Sequence, residues 1–564
     1  MDSNLLRTKS IEQLVGDVEH GSKALKRSLG AWDLTLLGIG AIIGTGIFVL
    51  TGTAAANQAG PAIMMSYLAA GLACGFAALC YAEFASMIPI AGSAYTYAYA
   101  TLGEVVAWMI GWDLILEYAV GSMTVAIGWS GYMQKLLSGA GIHLPVWMTA
   151  APGTLNASGN EIGAIINLPA VLIVLAITAL LVIGVQATAR ANAIMVSIKL
   201  VAIVFFIAAG ATFVKPENWS PFYAYGWQGM MAAAAVVFFA YIGFDAVSTT
   251  AEEAKNPQRD LPIGILASLI VCTILYLAVA AVLTGIVPVV DYKTDAGFLN
   301  APVAFALSLI GQDWAAYLVS AGAVAGITSV LLVMLLSQPR IFFAMSRDRL
   351  LPPSVSVVHP KYGTPYITTI ITGVIVAIVA GFTQIQTVGE MTSIGTLFAF
   401  VVVCAAVLIL RRTRPDAKRS FKVPFGPVLP TLGIISCFWL MLSLPVLTWV
   451  RFLVWLDLGL IIYWLYGRVN STLADPKERQ RRTMLQALAN FTTAFGGLAI
   501  FNGFAMATLG FFTEWGITNE TTAKWHEIGV TAHEADMFGL QVLGVSVAVF
   551  VVGRILAKVS GEQK

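Results

Sequence analysis

A Gly-Thr-Gly sequence interrupts the first long apolar segment of the chain, in GIGAIIGTGIF (38–48). Glycine weakens a helix by roughly 1 kcal/mol relative to alanine, so Gly44, Thr45 and Gly46 predict a break in a helix. The half-helix after such a break begins with free N–H groups, which attract a carboxylate, and the half before it ends in free carbonyls, which attract an ammonium group. The break therefore has the chemistry of a site for small ionised groups.

A second polar interruption lies in WQGMMAAAAVVFFAYIGFDAVSTTAEEA (227–254), where a Gly-Phe-Asp sequence ends at Asp245. The carbonyls of Phe239, Ala240 and Ile242 precede this interruption and become available to an ammonium group if the helix breaks here. Acting together, the two breaks would bind a zwitterion, meaning the backbone of an α-amino acid.

Close helix packing is the alternative explanation for the glycines, since small residues spaced three or four apart let membrane helices approach each other. That alternative is favoured for Gly38 and Gly40. For residues 44–46 the binding site is favoured, because a matching interrupted helix in the later segment is typical of a transporter site.

Lys199 lies deep in the apolar segment AIMVSIKLVAIVFFI (193–207). A charge at such a depth is costly and usually serves function. A lysine there can release a proton, and its ammonium group can also occupy the place in which other transporters hold a sodium ion. These two roles are favoured over a lysine whose side chain merely extends to the membrane surface.

Two carboxylates, Asp113 and Glu117, lie one helical turn apart in GWDLILEY (111–118). Two such groups in apolar surroundings disfavour double ionisation, so at least one is expected to be protonated or paired. Glu117 is nearer to the middle of the membrane and is assigned to the substrate pocket, whereas Asp113 is expected to cap or pair structurally. Asp245 follows the second break and is expected either to approach a cationic side chain or to accept a backbone N–H.

The composition identifies the elements that must position these residues. Hydrophobic residues make up 58% of the 564 residues and charged residues 11%, against about 25% charged in soluble domains. The chain is therefore expected to be an all-α polytopic membrane protein. The five cysteines lack metal-ligand spacing and the five histidines lie in tails or loops, so neither a metal site, a cofactor nor an enzyme is expected.

Fourteen membrane spans are expected from the apolar runs. Their boundaries are 32–55, 61–88, 104–133, 167–184, 190–214, 227–253, 261–287, 313–345, 366–383, 388–411, 427–447, 449–468, 486–512 and 536–557. Five spans separate the two breaks. Because five is odd, the two halves of the chain would be inserted in opposite orientations, as in an inverted repeat.

Lysine and arginine concentrate on one side of these spans. The basic loops RRTRPDAKRSFK (411–422) and KERQRR (477–482) lie on the same side as the N-terminal tail. The positive-inside rule then predicts that both termini are cytoplasmic, in the plasma (inner) membrane. The tail is polar and basic and carries no cleavable signal, so the first span is expected to direct insertion.

Several long motifs, in order, resemble the cationic amino acid transporter family of the amino acid–polyamine–organocation superfamily. They are GIGAIIGTGIF, YAEFASMIPIAGSAYTY, GWDLILEY, FFAYIGFDAVSTTAEEAKNPQRDLPIGI and SQPRIFFAMSRDRLLP, and the match runs along most of residues 28–470. The chain resembles bacterial members with two extra C-terminal helices. The resemblance implies a LeuT-type fold, in which an inverted repeat of helices 1–5 and 6–10 is followed by helices 11–14.

The resemblance also implies a division of the chain and a set of site residues. The divisions are a cytoplasmic tail (1–31), two repeats (32–214 and 227–411), helices 11–12 (427–468) and helices 13–14 (486–557). The substrate backbone is placed on Ile42, Ile43, Gly44, Thr45, Gly46, Phe239, Ala240 and Ile242. Glu117 and Asp245 match pocket carboxylates. Lys199 matches the family lysine that stands in for a sodium ion and is tied to proton coupling.

These observations predict a secondary transporter that couples amino acid uptake to protons by alternating access, with helices 1 and 6 hinging at their breaks. A sodium-independent exchanger of cationic amino acids is the alternative within transport, and a membrane amino acid sensor is the alternative outside it. A channel is disfavoured because no span repeats a polar face. The expected partners are the amino acid, protons and the lipid bilayer, with no nucleic acid. Neutral and cationic substrates both remain open.

Overall fold

Apolar runs of this length fold as helices because a backbone in hydrocarbon must satisfy its hydrogen bonds within its own segment. The computed structural model describes residues 7–9, 29–88, 93–154, 161–183, 188–249, 251, 254–289, 292, 296–360, 362 and 364–474. Two predicted spans, 486–512 and 536–557, lie outside the described residues, as does most of the tail 1–31.

Each of the first twelve predicted spans corresponds to a helix or a broken helix of the structure. Span 1 comprises Ala31–Ile42 and three successive helical pieces, Gly46–Leu50, Thr51–Ala54 and Ala55–Ala59. Span 6 comprises Gly226–Val237, Phe238–Tyr241 and Ala246–Thr249. The others, in order, are Ile63–Met87, Glu104–Gly139, Leu168–Ile183, Thr188–Ala211, Pro257–Ile286, Asp313–Arg347, Tyr366–Phe382, Ile385–Thr413, Val428–Leu442 and Val446–Ile462.

Within the described ranges, seven helices are long and apolar enough to cross a membrane, and five shorter apolar helices accompany them. The all-α, many-span fold class is therefore confirmed. Span 7 begins at Pro257, ahead of the predicted residue 261, because proline is tolerated in the first turn of a helix, where no N–H is needed. Three short α-helices that the structure describes outside the spans, Ser93–Thr101, Ala296–Asn300 and Pro302–Leu309, were not predicted.

Spans 1 to 4 each pack against the span five places further along the chain. Span 2 lies along span 7, span 3 along span 8 and span 4 along span 9, while spans 1 and 6 meet at their breaks. Spans 1, 2, 6 and 7 form one packed group, and span 10 packs against spans 2, 3 and 11. This pairing is what an inverted repeat of five spans produces.

A short segment of the N-terminal tail, residues 7–9, lies against the ends of several spans; we call it the tail strap. The amide of Lys9 donates to the carbonyl of Tyr99 at 3.2 Å, and the amide of Glu104 donates to the carbonyl of Arg7 at 2.9 Å. The Arg7 guanidinium donates to the carbonyl of Leu473 at 2.9 Å. The strap thereby joins the start of span 3 to the chain that follows span 12.

Asp348, just after span 8, anchors the strap through its side chain. Its carboxylate lies 3.3 Å from the Lys9 ammonium and accepts the Tyr95 hydroxyl at 2.7 Å. Burial and the adjacent Asp348 carboxylate raise the pKa of Tyr95 well above its ordinary value, so the hydroxyl keeps its proton and remains a donor.

Candidate functional site

The breaks of spans 1 and 6 lie directly against each other. Span 1 leaves the helix at Ile43, whose φ and ψ of −74° and 108° are extended, and span 6 leaves it at Ile242, with −61° and 132°. Gly243 follows with a φ of +122°, a conformation that favours glycine. The predicted breaks are therefore present at both positions.

Two glycines make the close approach of the breaks possible. A Cβ atom on Gly46 would collide with the backbone and side chain of Ala240. A Cβ atom on Gly243 would lie 2.8 Å from the carbonyl carbon and oxygen of Ala41. Each glycine thus admits the backbone of the other broken helix, and Gly46 combines this packing with its place at the break.

The end of the first half of span 1 offers carbonyl oxygens to side chains from other spans. The amide of Ile43 still donates to the carbonyl of Ile39 at 3.0 Å, and the second half starts with the amide of Phe48 donating to the carbonyl of Gly44 at 3.4 Å. The carbonyls of Gly40 and Ile43 instead accept bonds from the Lys199 side chain, and the carbonyl of Ile42 lies 3.1 Å from the Tyr276 hydroxyl. These oxygens belong to the helix end that was predicted to face an ammonium group.

Lys199 supplies an ammonium group to this helix end from span 5. Its Nζ donates to the carbonyl of Gly40, to the carbonyl of Ile43 at 2.7 Å and to the Ser329 hydroxyl of span 8 at 3.3 Å. Lys199 has no exposed surface, so its side chain does not extend to the membrane surface. Its three N–H donors have three acceptors.

The expected acceptors of span 6 are partly occupied by the protein itself. The amide of Ile242 donates to the carbonyl of Phe239 at 3.1 Å. The carbonyl of Ala240 accepts the Tyr276 hydroxyl at 2.6 Å. A carbonyl oxygen has two lone pairs, so each of these oxygens retains capacity for a second donor.

The carboxylates predicted for the pocket lie together but apart from the break of span 1. Glu117 is buried, interacts with Thr396 and lies within electrostatic reach of Asp245 and Asp113. Asp245 accepts the Ser93 hydroxyl at 3.4 Å. The hydroxyl of Thr45 contacts the carbonyl of Val125 at 3.5 Å, which is eight residues beyond Glu117 and so about 12 Å along span 3.

Asp113 does not make the structural pairing that was expected of it. Among the described residues neither of its carboxylate oxygens has a hydrogen-bond partner, although the side chain is fully buried. It faces Gly395 of span 10, where a Cβ atom would lie 2.6 Å from its Oδ1 atom. The reason is its position, since Asp113 lies nine residues inside span 3 and cannot reach the free N–H groups of the helix start.

Sequence reasoning missed the hydroxyl groups that contact the breaks. Tyr67 of span 2 donates to the carbonyl of Gly46 at 3.1 Å, and Tyr276 of span 7 contacts the carbonyls of Ile42 and Ala240. A tyrosine buried in an apolar helix needs an acceptor for its hydroxyl, and that need was the available signal. It does not identify the acceptor, because the acceptor belongs to another span.

Two broken helices that face each other inside a bundle of membrane spans, one of them bonded to the buried Lys199 of span 5, define a secondary transporter of a small ionised solute. The chain belongs to the amino acid permease family, which matches residues 29–465. It thus has the LeuT-like fold of that family and, as a transporter, is not an enzyme. Within the described residues, no group of three or more histidine, cysteine or acidic side chains could hold a metal ion.

Three proteins that are similar to this chain are all named as transporters or permeases, but their names give different solutes. The branched-chain amino acid permease BcaP of Bacillus subtilis (strain 168) is 53% identical over 473 residues, which cover 84% of this chain and 100% of that protein. The methylthioribose transporter of the same organism is 50% identical over 471 residues, covering 84% and 99%. The vacuolar cationic amino acid transporter 4 of Arabidopsis thaliana is 39% identical over 422 residues, covering 73% and 68%. Secondary amino acid transport is therefore the function of the chain at the level of the family.

Proposed function

We propose that this transporter imports an amino acid together with a proton, and that it binds the amino acid backbone between the breaks of spans 1 and 6. The observation that carries the proposal is the meeting of the two breaks at Gly46 and Ala240. The free N–H groups at residues 44–46 would bind the carboxylate. The carbonyls of Ile42, Ala240 and Ile242 would bind the ammonium group.

Lys199 is the proposed proton-coupling residue. As an ammonium group it can donate to all three of its acceptors, the carbonyls of Gly40 and Ile43 and the Ser329 hydroxyl. As a neutral amine it has only two N–H donors and no charge, so its bonds to the carbonyls of Gly40 and Ile43 are no longer charge-assisted. Release of the proton would therefore weaken the hold of span 5 on span 1, which links the proton to the position of the broken helix.

Branched-chain and other neutral amino acids are the first candidate substrates. The supporting observation is the 53% identity to a branched-chain amino acid permease over that protein's whole length. Cationic amino acids are the second candidate, favoured by the buried carboxyl groups of Glu117 and Asp245, which could accept a cationic side chain. We place the chain in the plasma membrane with both termini in the cytoplasm, on the distribution of lysine and arginine.

Uptake into proteoliposomes tests the proposal. Labelled leucine, alanine and arginine are supplied with and without an inward proton gradient, at matched internal composition. We expect leucine uptake that the gradient accelerates. Uptake that does not respond to the gradient and requires internal amino acid would indicate exchange in place of symport. Binding without uptake would favour the sensor.

A further inference from the structure

One hydroxyl group lies within hydrogen-bonding distance of both broken helices. The Tyr276 hydroxyl of span 7 is 3.1 Å from the carbonyl oxygen of Ile42 and 2.6 Å from that of Ala240. Ile42 ends the first half of span 1, and Ala240 lies just before the break of span 6. Tyr276 has no exposed surface. It therefore bridges the breaks from within the protein.

A phenolic hydroxyl has a single proton and can donate to only one of these carbonyls at a time. The shorter distance favours the Ala240 carbonyl as the acceptor. The Ile42 oxygen then faces the lone pairs of the hydroxyl and needs a donor from elsewhere. The arrangement brings two carbonyl oxygens to one point with one proton between them, so a second donor is required to satisfy both.

The position of the hydroxyl is fixed by a cluster of three buried tyrosines. The Tyr276 ring centroid lies 5.2 Å from that of Tyr67 and 5.2 Å from that of Tyr241. The Tyr241 hydroxyl donates to the carbonyl of Tyr67 at 2.8 Å, away from the breaks. The Tyr67 hydroxyl lies 2.7 Å from that of Thr51. The cluster thus packs around the ring of Tyr276, so that removal of its hydroxyl need not move the ring.

We propose that Tyr276 is a positioning residue that joins the carbonyls of Ile42 and Ala240 into one acceptor pair for the substrate ammonium group. The ammonium group supplies the missing donor to one carbonyl. The hydroxyl then donates to the carbonyl that the ammonium group does not bind. This role rests on the proposed binding of the amino acid backbone at the breaks. It adds a specific claim, that the affinity gained from the ammonium group depends on a side chain of span 7.

The test compares Tyr276→Phe with Tyr241→Phe in the purified full-length chain. Both variants remove one buried hydroxyl from the same cluster, and only the first removes a contact with the breaks. Dissociation constants are measured for leucine and for 4-methylpentanoate, which is leucine without its amino group. Arginine and 5-guanidinopentanoate form a second pair that is measured in parallel.

We expect Tyr276→Phe to weaken amino acid binding about tenfold, as the loss of a buried hydrogen-bonded group does, while the binding of the acid without an amino group stays unchanged. Tyr241→Phe should leave the amino acid affinity near that of the wild type. The melting temperatures without ligand are measured on the same samples, so that a loss of affinity can be separated from a loss of stability.

Two results overturn the role of Tyr276: equal losses of amino acid affinity in both variants, or equal losses for the amino acid and its deaminated analogue in Tyr276→Phe. The binding site itself fails on a different measurement. If the wild-type chain binds 4-methylpentanoate as tightly as leucine, and the guanidino pair behaves likewise, then the ammonium group is not recognised at the breaks.

Discussion

Lys199 of span 5 donates a hydrogen bond to the carbonyl oxygen of Ile43 in span 1 at 2.7 Å, at the residue where span 1 leaves its helix. The lysine thus occupies the end of a half-helix, where the partial negative charge of the helix dipole favours a cation. Gly326 of span 8 lies behind it, where a Cβ atom would meet that of Lys199 at 2.5 Å. Lys199 therefore ties span 5 to the broken end of span 1, beside the packing of Val196 against Gly40.

Replacement of Lys199 by alanine should remove the dependence of uptake on the proton gradient. The carbonyls of Gly40 and Ile43 would lose their donor, and the amine proposed to carry the proton would be gone. The measurement is uptake with and without an inward gradient, alongside counterflow with equal amino acid on both sides. The matched control is Lys215→Ala, which changes an exposed lysine outside the spans. A gradient response that persists in Lys199→Ala would remove this lysine from coupling.

Gly46→Ala should lower uptake at least about tenfold, because an added Cβ collides with Ala240 and forces the two breaks apart. Gly75→Ala in span 2 is the control, since no atom lies within 4 Å of a Cβ at that position. Surface expression and uptake of both variants are compared. Wild-type uptake by a well-expressed Gly46→Ala variant would contradict the need for close contact at the breaks.

Glu83→Gln should destabilise the protein by about 3 kcal/mol, the cost of removing one partner from a buried ion pair. Glu83 of span 2 pairs with Arg411 and with Arg419, at 3.3 Å for the latter, and accepts the amide of Val423 at 2.8 Å. A melting temperature several degrees lower in detergent is expected. Glu217→Gln, which changes an exposed glutamate, serves as the control and should have the same melting temperature as the wild type.

Asp113→Asn should not destabilise the protein, although Asp113 is as deeply buried as Glu83. Among the described residues its carboxylate has no hydrogen-bond partner. Replacement by asparagine therefore breaks no hydrogen bond and removes a buried acidic group. The melting temperature should be equal to or higher than that of the wild type. A large fall would indicate that Asp113 has a partner and would return it to the structural role first expected.

The spans and their two breaks could be predicted from the sequence, because both depend on local properties. Apolar length sets a span, and Gly44, Gly46 and Gly243 weaken the helix where the structure breaks it. The partners of Lys199 and Tyr276 could not be predicted, since they lie on other spans and most are backbone carbonyl groups. The short helix Ser93–Thr101 was missed because it is too short to give a spanning signal.

The tail strap brings distant parts of the chain together, since Arg7 contacts Leu473. Fluorophores attached to the exposed Thr8 and Thr472, which neighbour these two residues, would start only a short distance apart. Energy transfer between them would report, in a single intact molecule, whether the strap stays in place while substrate crosses. The transporter thus carries a natural pair of labelling positions for following its working cycle in real time.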